Sequence, residues 1–113
     1  MSDLTPAVIA NTLSRIGKEI DALTVQLETL DQAETMARHE YRHAFNKAFL
    51  VAEGSVDARR ALAEVQTDDL ELAWSIAGVA LRSAKDELRA LRDRLEIGRS
   101  LSAIMRLEWT GRD

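Results

Sequence analysis

From Pro6 to Glu53 the chain contains no second proline and only one glycine, Gly17, and its apolar residues recur as Ile9, Leu13, Ile16, Ile20, Leu23, Leu27 and Leu30. Spacings that alternate four and three keep a row of side chains on one face of an α-helix, and this alternation is the seam of a left-handed coiled coil. A helix with such a seam needs a partner along its length, because it cannot bury the stripe by itself. Thr5 before Pro6 supplies the N-cap and a pre-set first turn.

In the same register the seam continues through Glu34, Ala37, Tyr41, Ala44, Ala48 and Val51, so large aliphatics give way to small residues and the helices should approach more closely. At "EGSVD" Gly54 suits a left-handed C-terminal position, Ser55 an N-cap and Asp57 the positive end of a following helix. The expected fold is all-α, a long antiparallel helical hairpin of the coiled-coil type that assembles into a helical bundle. Arm 1 covers about 6–53, the turn 54–55 and arm 2 about 56–109, with candidate breaks at Thr67 and Gly98. All 113 residues form one domain, and each arm measures about 75 Å at ~1.5 Å per residue.

Near the turn the expected seam stations of arm 2 are Ala58, Leu62, Val65, Leu72, Ile76 and Val79; farther on they are Leu81, Ala84, Leu88, Leu91 and Leu95. Reading both sets as one seam requires a phase shift around residues 79–81. Folding about Gly54 then sets Val51 near Ala58, Ala44 near Val65, Ala37 near Leu72 and Leu30 near Val79. Two rods have too little interior for every apolar residue of "AFNKAFLVA" and "LELAWSIAGVAL". Phe45, Phe49, Leu72, Trp74 and Ile76 are therefore the expected oligomer interface, covered by a second subunit or by a third helix folded back from within the chain.

The segment "HEYRH" (39–43) has the His-Glu-x-x-His spacing of zinc peptidases, in which two imidazoles one turn apart share a metal and the glutamate polarises its water. The seam register turns His39 and His43 outward among Arg38, Arg42 and Lys47, and no strand pattern offers a place for a peptide. The expected assignment is a solvated helix face, with no metal, no cofactor and no catalytic residue. Absence of cysteine removes disulfides and cysteine-based zinc sites. There is no glycine-rich phosphate loop or nucleophile elbow.

Charge gives the other surface of interest. The net charge of −4 argues against a general nucleic-acid coat, yet Arg82, Lys85, Arg89, Arg92, Arg99 and Arg106 form one helical line of roughly 36 Å. Such a line can follow phosphates. The opposing expectation is a face paired within the helix, since Asp86, Asp93 and Glu96 each lie four residues from an arginine. Arg59 and Arg60 stand in the first turn of arm 2, where the helix dipole disfavours cations, and pairing with Glu53, Asp57 or Glu64 is the expected outcome.

"KAFLVAEGSVDARRALAEVQTDDLELA" followed by "LRALRDRLEIGRSLSA" resembles small helical coiled-coil proteins encoded by phages and prophages of Gram-positive bacteria, often beside replication and recombination genes. The likeness covers about 41–103. It rests on Lys47, Ala48, Phe49 and Leu50, on Glu53, Gly54, Ser55 and Arg59, and on Leu91, Arg99 and Ser100. The resemblance implies an early-region phage protein in a bacterial cytoplasm. The function expected is non-enzymatic: a homo-oligomer that holds an unknown protein partner in replication or recombination. The alternatives are nucleic-acid binding along the Arg82–Arg106 line and inhibition of a host defence or polymerase. The start "MSDLTPAVIA" has no basic region or cleavage site of a secretion signal, and no apolar run reaches the ~20 residues of a membrane span, so no membrane partner is expected.

Overall fold

The computed structural model describes residues 4–111, and within them the protein is a helical hairpin of three α-helices with no strand. Helix α1 is Pro6–Val51, α2 is Val56–Gln66 and α3 is Asp68–Thr110. The ends are built as the sequence predicts. The Thr5 hydroxyl accepts from the Val8 amide at 3.2 Å, and the Ser55 hydroxyl accepts from the Ala58 amide at 3.1 Å. Each satisfies one of the amides that a helix N-terminus leaves open. Gly54 takes φ +108°, a value that side-chain-bearing residues rarely adopt, so the chain reverses there at little cost.

Between α2 and α3 the ladder is interrupted only at Thr67. The Thr67 amide bonds the Ala63 carbonyl at 3.1 Å and the Glu71 amide bonds the Thr67 carbonyl at 3.0 Å, so helical bonding carries on across the junction. Its hydroxyl donates to the Ala63 carbonyl at 2.7 Å, which satisfies a buried polar group within its own helix. Of the two candidate breaks, Thr67 interrupts the helix and Gly98 does not. Neither folds a third helix back over the hairpin.

Two compact units divide the contacts: unit 2 is Leu27–Ser83, and unit 1 joins the stretch up to Gln26 with the stretch from Ala84 onward. Unit 1 has a dry aliphatic seam in which Ile9, Ile16 and Leu23 of α1 and Ala84, Leu88 and Leu91 of α3 are buried. A methyl built on Gly98 would run into the end of the Leu13 side chain, so the two antiparallel helices approach closely there and alanine fits only if that side chain moves.

Unit 2 is antiparallel as well, with Arg59 against Phe49 and Trp74 against Glu34 and Tyr41. Its arm 1 stations are those read from the sequence as far as Ala48: Glu34, Ala37, Tyr41, Ala44 and Ala48 are half-buried, whereas Val51, the last of the expected row, is 76% exposed at the end of α1. Its arm 2 stations are different. The inward residues are Ala63, Thr67, Leu70, Trp74, Ala77 and Leu81, whereas Leu62, Val65, Leu72, Ile76 and Val79 are exposed. The facing pairs Ala44 with Val65, Ala37 with Leu72 and Leu30 with Val79 are therefore not made, and no phase shift occurs at 79–81. From Ala63 to Leu81 the inward spacing alternates four and three, and it meets Ala84, Leu88, Leu91 and Leu95 of unit 1 without a slip. A continuous helix keeps its phase, and the aliphatic seam of unit 1 sets it.

Candidate functional site

The side chains turned inward in unit 2 build a polar and aromatic core. Trp74 donates its indole N–H to Glu34 Oε1 at 2.8 Å and stacks on Tyr41 at 5.6 Å between centroids, while the Arg42 guanidinium lies 5.8 Å from the indole ring. Glu34 also faces Arg38, 3.9 Å away. The row continues toward the turn, Tyr41 to Phe45 at 6.1 Å and Phe45 to Phe49 at 6.4 Å. The Tyr41 phenol is pushed above its usual range, first by burial and then by the Glu71 and Glu64 carboxylates.

Arg59 explains the cation in the first turn of α2. Its Nε and a terminal nitrogen donate to the Phe49 carbonyl at 3.2 and 3.0 Å, and its guanidinium lies 4.5 Å over the Phe49 ring. The acceptor is among the last carbonyls of α1, which carry the negative end of that helix's dipole. The unfavourable field at the start of α2 is offset by the favourable one at the end of α1. Arg60, beside it, is exposed.

With the core so occupied, the large aliphatics of α2 and the start of α3 face outward. Leu62, Val65, Leu72, Ile76 and Val79 repeat every three, four or seven residues, with Asp69 in the gap. This places them on one stripe roughly 150° around the helix from the inward seam. Val65 is 75% exposed and Leu72 58%. Of the expected interface residues, Leu72 and Ile76 lie on this stripe. Phe45, Phe49 and Trp74 lie half-buried inside the hairpin.

Arg82, Lys85, Arg89, Arg92, Arg99 and Arg106 are all exposed. Arg82 belongs to unit 2 and the other five to unit 1. Within the described residues the line makes one ion pair, Arg89 with Asp86 at 3.5 Å, both side chains about three-quarters exposed. A pair so open to water adds little. Among the described residues the i,i+4 partners expected for Arg82, Arg89 and Arg92 are not engaged.

His39 and His43 are exposed and their rings stack at 6.1 Å. Among the described residues no group of three His, Asp or Glu side chains converges on a point that could hold a metal. Unit 1 also contains a cleft of about 590 Å³ where Pro6 and Ile9 meet Met105 and Trp109. The nearby Thr110 hydroxyl is engaged with the Arg106 and Leu107 carbonyls. No described helix is long and apolar enough to cross a membrane. Compared with known proteins, the chain matches no family, no curated protein and no solved structure.

The outward stripe and the Arg59 contact were the features that sequence reasoning missed. The stripe had a signal: only the 63–67–70–74–77–81 phase continues into Leu88 and Leu91 without a slip. For Arg59 the turn length brings it level with the end of α1, but nothing in composition marks the Phe49 carbonyl as its acceptor.

Proposed function

We propose that the protein is a non-enzymatic helical interaction module, which works by presenting an apolar helix face to other protein helices. One observation supports this reading: in unit 2 the arm formed by α2 and the start of α3 is apolar on two sides, and only one side closes the hairpin. Exposed aliphatic stripes of this extent mark association surfaces, because water contact with them is unfavourable by about 25 cal/mol per Å². A setting in phage replication or recombination rests on the resemblance of the 41–103 segment alone. Association measured by sedimentation across a range of salt concentrations tests the reading. Apolar docking persists as salt rises; binding that collapses with salt would speak against it.

The exposed cations from Lys85 to Arg106, of which only Arg89 is ion-paired among the described residues, favour nucleic-acid binding as the second reading. If it holds, gel shifts with single-stranded and duplex DNA weaken steeply with salt, each lost phosphate contact lowers that slope by about 0.7–0.9, and Arg89→Glu with Arg92→Glu abolishes the shift at unchanged helicity. Binding insensitive to that pair of changes would remove the line from consideration.

A further inference from the structure

We infer that the stripe Leu62–Val65–Leu72–Ile76–Val79 is occupied by the same stripe of a second copy, packed antiparallel so that Leu62 faces Val79, Val65 faces Ile76 and Asp69 faces Leu72. The inference rests on the interaction reading above and names its partner.

Area is the first support. The five residues are between 44% and 75% exposed, and Ala61, Ala73 and Ser75 flank them; their complete burial in both copies comes to on the order of 1,000 Å², the size at which a specific interface begins. The small flanking side chains let a second helix approach along the whole stripe. Because the stripe faces away from α1, the first hairpin does not obstruct the second.

Charge fixes the direction. One flank of the stripe carries Asp57 and Glu64 toward its α2 end and Arg82 at its other end. Antiparallel packing brings Arg82 of one copy between Asp57 and Glu64 of the second. Shifting the pairing by one heptad leaves large aliphatics without a partner, so one register is favoured.

The chain has no cysteine, so single cysteines report the arrangement directly. Sedimentation should show a dimer that dissociates on dilution, and Leu72→Glu or Val65→Lys should leave a monomer of unchanged helicity. Under oxidation, Leu62→Cys mixed with Val79→Cys should form a disulfide-linked pair, while neither variant alone links to itself. Self-linking by each variant alone would mean a parallel pair and overturn the inference, as would a dimer indifferent to Leu72→Glu. A wild-type chain that stays monomeric also overturns it, and the melting of Leu72→Glu then separates the two readings. Unchanged melting removes only the second copy as occupant. Lowered melting means the stripe is packed within its own chain, and the interaction reading falls too.

Discussion

Units 1 and 2 are both antiparallel helix pairs with seams of the same alternating spacing, yet they fill those seams differently. In unit 1 Ile9, Ile16, Leu23, Leu88 and Leu91 are buried in the seam, although Ile97, Leu101, Ile104 and Leu107 of α3 are exposed. In unit 2 the deepest positions are Ala63, with no exposed surface, and Thr67, at 3%, while five large aliphatics of α2 and the start of α3 face solvent. Small residues bring the helices close but bury little area. Under the interaction reading proposed above, the aliphatics left outside in unit 2 are the ones buried in another molecule, while the buried aliphatics of unit 1 hold its helices together.

The largest effect expected is a contrast in stability. Leu91→Ala, at a buried position of unit 1, should lower unfolding free energy by about 2–4 kcal/mol, whereas Leu72→Ala in dilute protein should cost under about 1 kcal/mol. Urea unfolding of both variants checks this, and equal losses would erase the distinction between inward and outward leucines.

Next is the close approach at Gly98. Alanine there must move the end of the Leu13 side chain, whereas alanine at Gly17, where an added methyl meets nothing, should stabilise the helix by roughly 0.5–1 kcal/mol. Thermal melts in which Gly98→Ala gains clearly less than Gly17→Ala are the expected result. Equal gains at the two glycines would mean that Leu13 does not press on Gly98.

In unit 2 the inward contact of Trp74 can be tested with Glu34. Trp74→Phe keeps an aromatic against Tyr41 but removes the indole donor, and should cost about 1–2 kcal/mol; once Glu34 is alanine the same change should cost much less. Additive losses in that double-mutant cycle would show that the two side chains do not meet.

The smallest effect concerns pH. Tyr41 is the chain's single tyrosine, and burial together with Glu71 and Glu64 raises its folded pKa above the ordinary value of 10.0. The neutral phenol is therefore the form the fold favours. Its contribution to stability is complete below about pH 10 and is lost as pH rises through the folded value. Tyrosinate absorbance should lag behind that of the unfolded chain in an alkaline titration, with unit 2 loosening as it rises. Coincident folded and unfolded titrations would put Tyr41 in solvent.

Much of this architecture was legible in the sequence. The helical hairpin, both helix starts, the Gly54 reversal and the α1 seam followed from proline and glycine placement, capping residues and the alternation of four and three. The face of α2 and early α3 did not, for a definite reason. Reading inward positions by size selects Leu62, Val65, Leu72 and Ile76, because Thr67 looks too polar and Trp74 too large for a seam. The structure resolves both objections locally: Thr67 bonds its own helix, and Trp74 has Tyr41 to stack on and Glu34 to accept its proton. Continuity of phase from Leu88 back to Ala63 was the stronger constraint, since a slip would interrupt the seam whereas exposed aliphatics can be covered by another chain. The basic line was correctly placed on the exposed side of α3, but its internal pairing was overstated, because spacing alone does not make two flexible exposed side chains meet.

The central claim is that one stretch of helix in unit 2 has two apolar sides with different duties, and thiol labelling reads those sides most directly. Ala63→Cys and Val65→Cys lie two residues apart on α2, one fully buried and one exposed. In dilute protein the account predicts that the cysteine at 65 labels at nearly the rate of a free thiol and that the one at 63 is strongly protected; raising the concentration should protect 65 as well and leave 63 unchanged. Fast labelling at 63 with protection at 65 in dilute protein would contradict it, because the large aliphatics would then form the inside of the hairpin.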